Sequence, residues 1–382
     1  MYTIHDYGDM IADHGRTDAY ARALRAVVTP ASVVLDIGSG AGIMTLLACR
    51  AGARRVYAVE PDGVIEVARE MVRANGYADR VTFMQAASDA VDLPETVDVI
   101  VSDVHGVLPL FCGSPTSIID ARDRFLAAGG VLIPARDTIS AAVVSAPEAY
   151  RSMVGPWEET LGFDGAPGRL RAVNAWRRAT FPASALLVEP RVWVVLDYPA
   201  LQGPNASGDL TWTIERAGEA HGLCLWFDCD AAPGCRFSNS PLSGEAHVFG
   251  QGFFQWPRPC TLEPGDQVHV TIRADLVGED YIWSWDTDVR VADGRGPARA
   301  RFRQSQFLSA PLSAEWLRRS SASFVPSANR EALIDTMILE SFSRGISLDT
   351  IARRLSDRFP ERFPHWRKAL TRVGSLSMRY SE

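Results

Sequence analysis

VVLDIGSGAGIMTL, residues 33–46, decides how the rest of the chain is read. Val33, Val34 and Leu35 are branched and apolar, enough for a short buried strand. Asp36 follows, then Gly38, Gly40 and Gly42 at alternating positions, then an apolar helix-forming run over 43–49. Glycine permits positive φ and lets a ligand approach the backbone without a Cβ in the way. The helix behind it offers unpaired N–H groups at its start. A glycine turn after a strand points to a nucleotide-type ligand. The spacing G-x-G-x-G, rather than G-x-G-x-x-G, favours S-adenosylmethionine over a dinucleotide. That ligand has no pyrophosphate to seat, and its carboxylate and ribose need close backbone approach instead. A second strand, 55–59, ends in Glu60, roughly 20 residues past the glycines, where an acidic residue grips ribose hydroxyls.

Outward from this stretch the alternation continues. Strands are predicted at 33–36, 55–59, 81–85, 97–102 and 131–133, with helices starting near Gly42, Asp62 and Ser117. Strands alternating with helices imply a parallel sheet, whose ligands lie beyond the carboxyl ends of the strands. The important tips are therefore 38–42, Glu60, 88–89 and 102–112. Asp89 reads equally as an acceptor for an adenine amino group and as a loop aspartate facing water. Residues ahead of Pro30 read as helical, with Met10, Ile11, Tyr20, Leu24 and Val28 near helical spacing and a break at Arg16 and Thr17. Arg16 reads as a solvated surface arginine or as a guanidinium paired with the cofactor's carboxylate.

After Pro134 the texture turns β-rich, with runs at 138–144, 192–196, 210–214, 222–227 and 268–272 bounded by Gly, Pro, Asn and Asp. This predicts a mostly antiparallel sheet, sandwich or barrel. A helix-compatible stretch at 148–178 interrupts it, carrying Tyr150, Trp157, Phe163 and Trp176. It reads as an arm onto a neighbouring molecule, or else as a lid. From about Ser313 the chain is helical and charged, with Ser347 as a helix N-cap. That module could cover an edge, bind a peptide or resemble a helix-turn-helix.

With 382 residues, two domains are the prior. The formal charge of −7 argues against a nucleic-acid partner. The six cysteines show no CxxC pair, and the nearby histidines lack zinc-type spacing, so no metal is expected and the thiols read as structural in a reducing cytoplasm. No signal peptide opens the chain and no apolar run is long enough for a bilayer.

Several segments in this order resemble the protein arginine methyltransferases: IHDYGDMIADHGRT (4–17), VLDIGSGAGI (34–43), AGARRVYAVE (51–60), SDAVDLPETVDVIVSD (88–103), ARDRFLAAGGVLIPARDTI (121–139) and FSNSP (237–241). The resemblance implies a Rossmann-like methyltransferase domain (1–134), a β-barrel substrate domain (135–312) with a helical dimerisation arm at about 148–178, and here a C-terminal helical module (313–382). It implies S-adenosylmethionine as cofactor, with Arg16 on the methionine carboxylate, Gly38, Gly40 and Gly42 lining it beside Asp36, Glu60 on the ribose, Asp89 at the adenine and Met10 near the methyl group. A homodimer through the arm follows from it as well.

The substrate side departs from the family pattern. Of the two glutamates that clamp a target guanidinium, the first is Asp103 and the second falls at Cys112. The family's Thr-His-Trp loop becomes Ala246-His247-Val248, and of the paired aromatics expected upstream only Tyr2 and Tyr7 are available. Two carboxylates suit a guanidinium, with its planar fork of donors and its charge. A less basic nitrogen does not need the second one. Asp103, His105, His247 and Cys112 are therefore the candidate catalytic residues. Both histidines read as groups that move or hold a proton, or as locally bonded loop residues. A charged Asp103 beside either would raise that histidine's pKa. The expected reaction is N-methylation of a peptide or protein side chain that is not ordinary arginine, such as histidine imidazole or a modified peptide. The alternatives are a small-metabolite methyltransferase and a cofactor-binding pseudoenzyme.

Overall fold

The computed structural model describes residues 2–245, 247–292 and 298–381. They form two compact units, 1–311 and 312–382.

The first unit opens with two helices rather than one, α1 (Ile4–Ala12) and α2 (His14–Val27). Thr3 and Asp6 form a capping box at the start of α1. Asp13 ends α1 and caps α2, its carboxylate accepting from the Arg16 N–H. A parallel sheet follows: β1 (Val33–Ile37), α3 (Ile43–Ala51), β2 (Arg55–Val59), α4 (Ile65–Ala74), β3 (Val81–Met84), β4 (Val97–Ser102), α5 (Ser114–Phe125) and β5 (Leu126–Ile133). The strand order is β3-β2-β1-β4-β5, so the chain reverses direction across the sheet at β1 and β4. All five residues of β1 are buried, as an uninterrupted VVLDI run on a central strand requires. Two helices are displaced from their expected starts. α4 begins at Ile65, after the Pro61-Asp62-Gly63 turn, and α5 begins at Ser114, where Gly113 takes a φ of 64°.

Two antiparallel sheets follow. One runs β7 (Arg177–Ala179), β12 (Gln251–Leu262), β10 (Gly218–Ala232), β6 (Arg136–Val144) and β8 (Arg191–Asp197), with β11 (Cys235–Ser238) paired to β10. The other runs β15 (Ala300–Ser305), β14 (Asp280–Arg290), β13 (Gln267–Val277) and β9 (Ala206–Thr213). Burial alternates along β13 and β14, so each strand gives one face to the core. Phe254 of the first sheet meets Trp283 and Trp285 of the second at centroid distances of 5.3 and 5.2 Å. The two sheets share this aromatic core, giving the mostly antiparallel β domain expected after Pro134.

The interrupting stretch is a helical pair, α6 (Pro147–Glu158) and α7 (Ala166–Ala172). Its tip folds on itself: a Cβ on Gly168 would come within 2.0 Å of the Trp157 ring. The pair leaves Leu161 95% and Phe163 80% exposed. The first unit ends with the short α8 (Gln306–Ser309).

The second unit contains α9 (Ala314–Arg319), α10 (Arg330–Phe342), α11 (Leu348–Arg358) and α12 (Trp366–Tyr380). The last three share a core of their own, with Ile334, Ile338, Ile351, Leu355, Phe363 and Val373 buried. Ser347 occupies the N-cap position of α11, but its hydroxyl meets Thr350 Oγ1 at 2.8 Å instead of a backbone N–H. Among the described residues, no helix is long and apolar enough to cross a membrane.

Candidate active site

The tips of β1, β2 and β4 meet the two N-terminal helices. After β1, Gly38, Gly40 and Gly42 take φ values of 67, 51 and 86°, which L residues rarely adopt. The N–H groups of Gly38 and Ser39 donate to the Val59 carbonyl at 2.9 and 3.1 Å, tying the turn to the end of β2. Gly40 N donates to Glu60 Oε2 and Asp62 N to Glu60 Oε1, both at 2.9 Å. Each oxygen keeps a lone pair for a hydroxyl donor. A Cβ on Gly40 would lie 2.8 Å from the Tyr7 ring, so α1 lies across the turn. Tyr2 meets Tyr7 edge-on at 6.0 Å.

Asp36 is buried, with Oδ2 accepting from Thr45 Oγ1 at 2.6 Å and Oδ1 without a partner. Burial pushes its carboxyl up to about 7, the Thr45 hydrogen bond opposing and the neighbouring Asp103 and Glu60 charges adding. Asp89 stands exposed on a short turn, Ser88–Ala90, after β3.

Arg16 is 3% exposed, and its guanidinium binds both Asp103 Oδ2 and the Met10 carbonyl. Its Nε is buried without a partner. The positive-φ glycines, the Glu60 lone pairs and this buried cation suit a nucleoside that carries an amino acid's carboxylate. The residues therefore fit the cofactor suggested by the glycine spacing.

Asp103 follows β4, whose last residue, Ser102, receives the buried Tyr20 hydroxyl on its carbonyl at 3.2 Å. Burial would raise the Asp103 carboxyl, but Arg16 and His105 overcome it and hold it below the usual range. His105 lies beneath, with Nδ1 3.3 Å from Asp103 Oδ1 and Nε2 2.9 Å from Asp137 Oδ2. Tyr198 also donates to Asp137 Oδ2, at 2.6 Å. Burial would lower the His105 pKa; the Asp137 charge and the hydrogen bonds to both carboxylates instead raise it to about 9. Cys112 is exposed at a φ of 43°, a left-handed conformation uncommon for a residue with a Cβ. Lost hydration and the nearby Asp280 push its thiol up, so it carries no charge at neutral pH.

His247 is close to the N-terminal helices. Its Nδ1 is 2.9 Å from Asp13 Oδ1, and Val248 N donates to Asp13 Oδ2 at 3.0 Å. The carboxylate that raises this histidine's pKa is therefore Asp13 and not Asp103, because the hydrogen bond to Asp13 outweighs burial. Ala246, the first residue of that loop motif, lies outside the described residues. A cavity of about 360 Å³ is lined by Met10, Val107, Phe111, Trp176, Phe249 and Trp283 among others, with Asp6, Asp9, Asp280 and Arg178 on its wall; Asp103, His105, Cys112 and His247 do not line it, though their chain neighbours Gly106, Phe111 and Val248 do.

The sequence reading missed Asp13, Asp137 and Tyr198. Asp13 had a local signal, since an aspartate three residues before Arg16 is a helix N-cap pattern. Asp137 and Tyr198 had none, because their partners are set by the barrel.

The family described as ribosomal protein L11 methyltransferase (PrmA) matches residues 12–130. The chain is 36% identical over 236 residues to a probable protein arginine N-methyltransferase 6 of Arabidopsis thaliana, covering 59% of this chain and only 54% of that relative. It is 30% identical over 281 residues to protein arginine N-methyltransferase 1 of Schizosaccharomyces pombe, covering 70% of this chain and 81% of the relative. Among solved structures, the fold matches Arabidopsis thaliana protein arginine methyltransferase 10 with a TM-score of 0.70 at 22% identity, over 79% of this chain and 97% of that one. It also matches the Trypanosoma brucei PRMT1 enzyme-prozyme complex with AdoHcy with a TM-score of 0.72 at 21% identity, over 80% and 98%.

Proposed function

The chain belongs to the protein arginine N-methyltransferase family, and on that premise we propose that it transfers a methyl group from S-adenosylmethionine to a nitrogen of a peptide or protein side chain, one less basic than guanidinium. When bound, this cofactor supplies a methyl group on a positively charged sulfur, a good leaving group. The glycine turn would line it, Glu60 would hold the ribose hydroxyls, Asp89 the adenine amino group and Arg16 the carboxylate. Asp36 supports the turn from within the buried sheet.

The protein's task is then to orient a nucleophile. Asp103 can accept an N–H from the acceptor and hold its lone pair toward the glycine turn. The hydrogen bond to Asp13 raises the pKa of His247, which suits it more to donating a proton than to accepting one. The observation that carries the acceptor reading is that Asp103 is the lone carboxylate on its loop, with both oxygens already held by Arg16 and His105. The acidic wall formed by Asp6, Asp9 and Asp280 suits a peptide with basic residues flanking the acceptor. The exposed Leu161 and Phe163 support homodimerisation through the arm. The thiols, which are unpaired and mostly buried, suit a cytoplasmic setting.

The test is methyl transfer from labelled cofactor to matched arginine-rich and histidine-containing peptides. Label on the imidazole peptide, lost in Asp103→Ala while S-adenosylhomocysteine still binds, is the expected result. Efficient labelling of arginine that depends on Asp103 overturns the acceptor assignment.

A further inference from the structure

His105 is held on every side. Its ring stacks on Phe227 at 4.9 Å with 3° between planes, and the edges of Phe237 and Phe249 close in at 5.8 and 6.1 Å. Each ring nitrogen lies within hydrogen-bond distance of a carboxylate oxygen, one from Asp103 and one from Asp137. Ionised carboxylates only accept, and a neutral imidazole has one N–H. With both carboxylates ionised, two such contacts place a proton on each ring nitrogen. Tyr198 bonds to the same oxygen of Asp137, which fixes the far end of the chain. The second oxygen of Asp103 faces Arg16. The two carboxylates are thus matched by two cations, and position 112, where the family's second glutamate falls, holds a neutral thiol.

We propose that His105 is a specificity-determining positioning residue: as an imidazolium bridging Asp103 and Asp137, it occupies one oxygen of Asp103 and offsets the negative charge that this carboxylate would otherwise present to a guanidinium. This rests on the methyl-transfer reading above. His105 acts through Asp103, which it holds in one orientation, and does not itself touch the acceptor. Phe249, which meets the edge of its ring, lines the acceptor cavity.

The experiment uses the full chain saturated with S-adenosylhomocysteine and two matched peptides, one presenting arginine and one histidine. Calorimetry gives the ratio of their affinities, and labelled cofactor gives the ratio of their kcat/KM values. The informative variant is His105→Leu with Asp137→Asn, which removes the cation together with its buried partner. His105→Gln is the second variant should that one not fold. Both ratios are expected to shift toward arginine by about tenfold or more. Ratios unchanged within about twofold, with S-adenosylhomocysteine affinity intact, overturn the proposal.

Nitrogen-detected NMR of the wild-type histidines needs no variant. One imidazole protonated at both nitrogens at neutral pH, and lost only as the pH approaches about 9, is expected. The other ionisable groups around it are Asp103, Asp137, Tyr198, Cys229 and, through Asp103, Arg16. Burial holds Tyr198 and Cys229 well above their ordinary values, so neither changes charge in this window. A buried singly protonated His105 at neutral pH refutes the bridge. Wild-type preference for arginine would sink the acceptor assignment of the previous section, while the shift between wild type and variant would still decide the role of His105.

Discussion

Raising the pH should destabilise the first unit chiefly through one buried residue, His105, with His247, whose pKa Asp13 raises, adding a loss of the same sign. His105 is buried, and its pKa in the folded chain is about 9 against an ordinary 6.5. A pKa raised on folding contributes stability that is complete below the unfolded value and is lost as the pH rises through the folded value. The window is therefore about 6.5 to 9, with the loss complete above the upper limit. At about 1.4 kcal/mol per pH unit, the contribution is about 3 kcal/mol. Burial alone would depress this pKa; the Asp137 charge is the largest influence raising it. Asp137→Asn should therefore flatten the dependence as well as lower stability at neutral pH. Urea unfolding followed by tryptophan fluorescence reports chiefly on this unit, since only Trp316 and Trp366 of the ten tryptophans lie outside it. A wild-type stability curve that stays flat across the window refutes the reasoning, as does an Asp137→Asn curve running parallel to it.

Three further perturbations have definite outcomes. Gly40→Ala puts a Cβ at positive φ against Tyr7, so S-adenosylhomocysteine affinity should fall by about tenfold with α1 displaced, measured by calorimetry. Asp13→Ala removes the cap of α2 and the partner of His247, costing about 1–2 kcal/mol in urea unfolding and lowering the pKa of His247 seen by NMR. Leu161→Asp with Phe163→Asp places charges on the most exposed apolar residues of the arm; sedimentation should change from dimer to monomer, and an unchanged mass would exclude the arm as the interface.

What the sequence disclosed follows from the range of the interactions concerned. The glycine turn and Glu60 were legible because backbone conformation is encoded locally and the β1–β2 spacing is short. The barrel was legible as a texture, since period-two burial survives without knowledge of strand order. The helix break was read at Arg16 and Thr17, three residues late, although Asp13 carries the local N-cap pattern that ends α1 and starts α2. The pairing of Asp13 with His247 spans 234 positions, and the link from His105 to Asp137 crosses from the parallel sheet into the first barrel strand. Composition and periodicity say nothing about contacts of that kind. Asp103 and Cys112, and the glutamate missing at position 112, were legible only through family resemblance; the partners of Asp103, Arg16 and His105, and the approach of Asp280 to Cys112 emerge only in three dimensions.

Asp13 ties together two parts of the first unit that are far apart in sequence. The same carboxylate begins α2 and, through His247 and Val248, fastens the barrel loop. On the proposed function, any displacement of the N-terminal helices that lets a spent nucleoside leave would slacken this barrel loop as well, so cofactor turnover and the grip on the acceptor would keep a common clock.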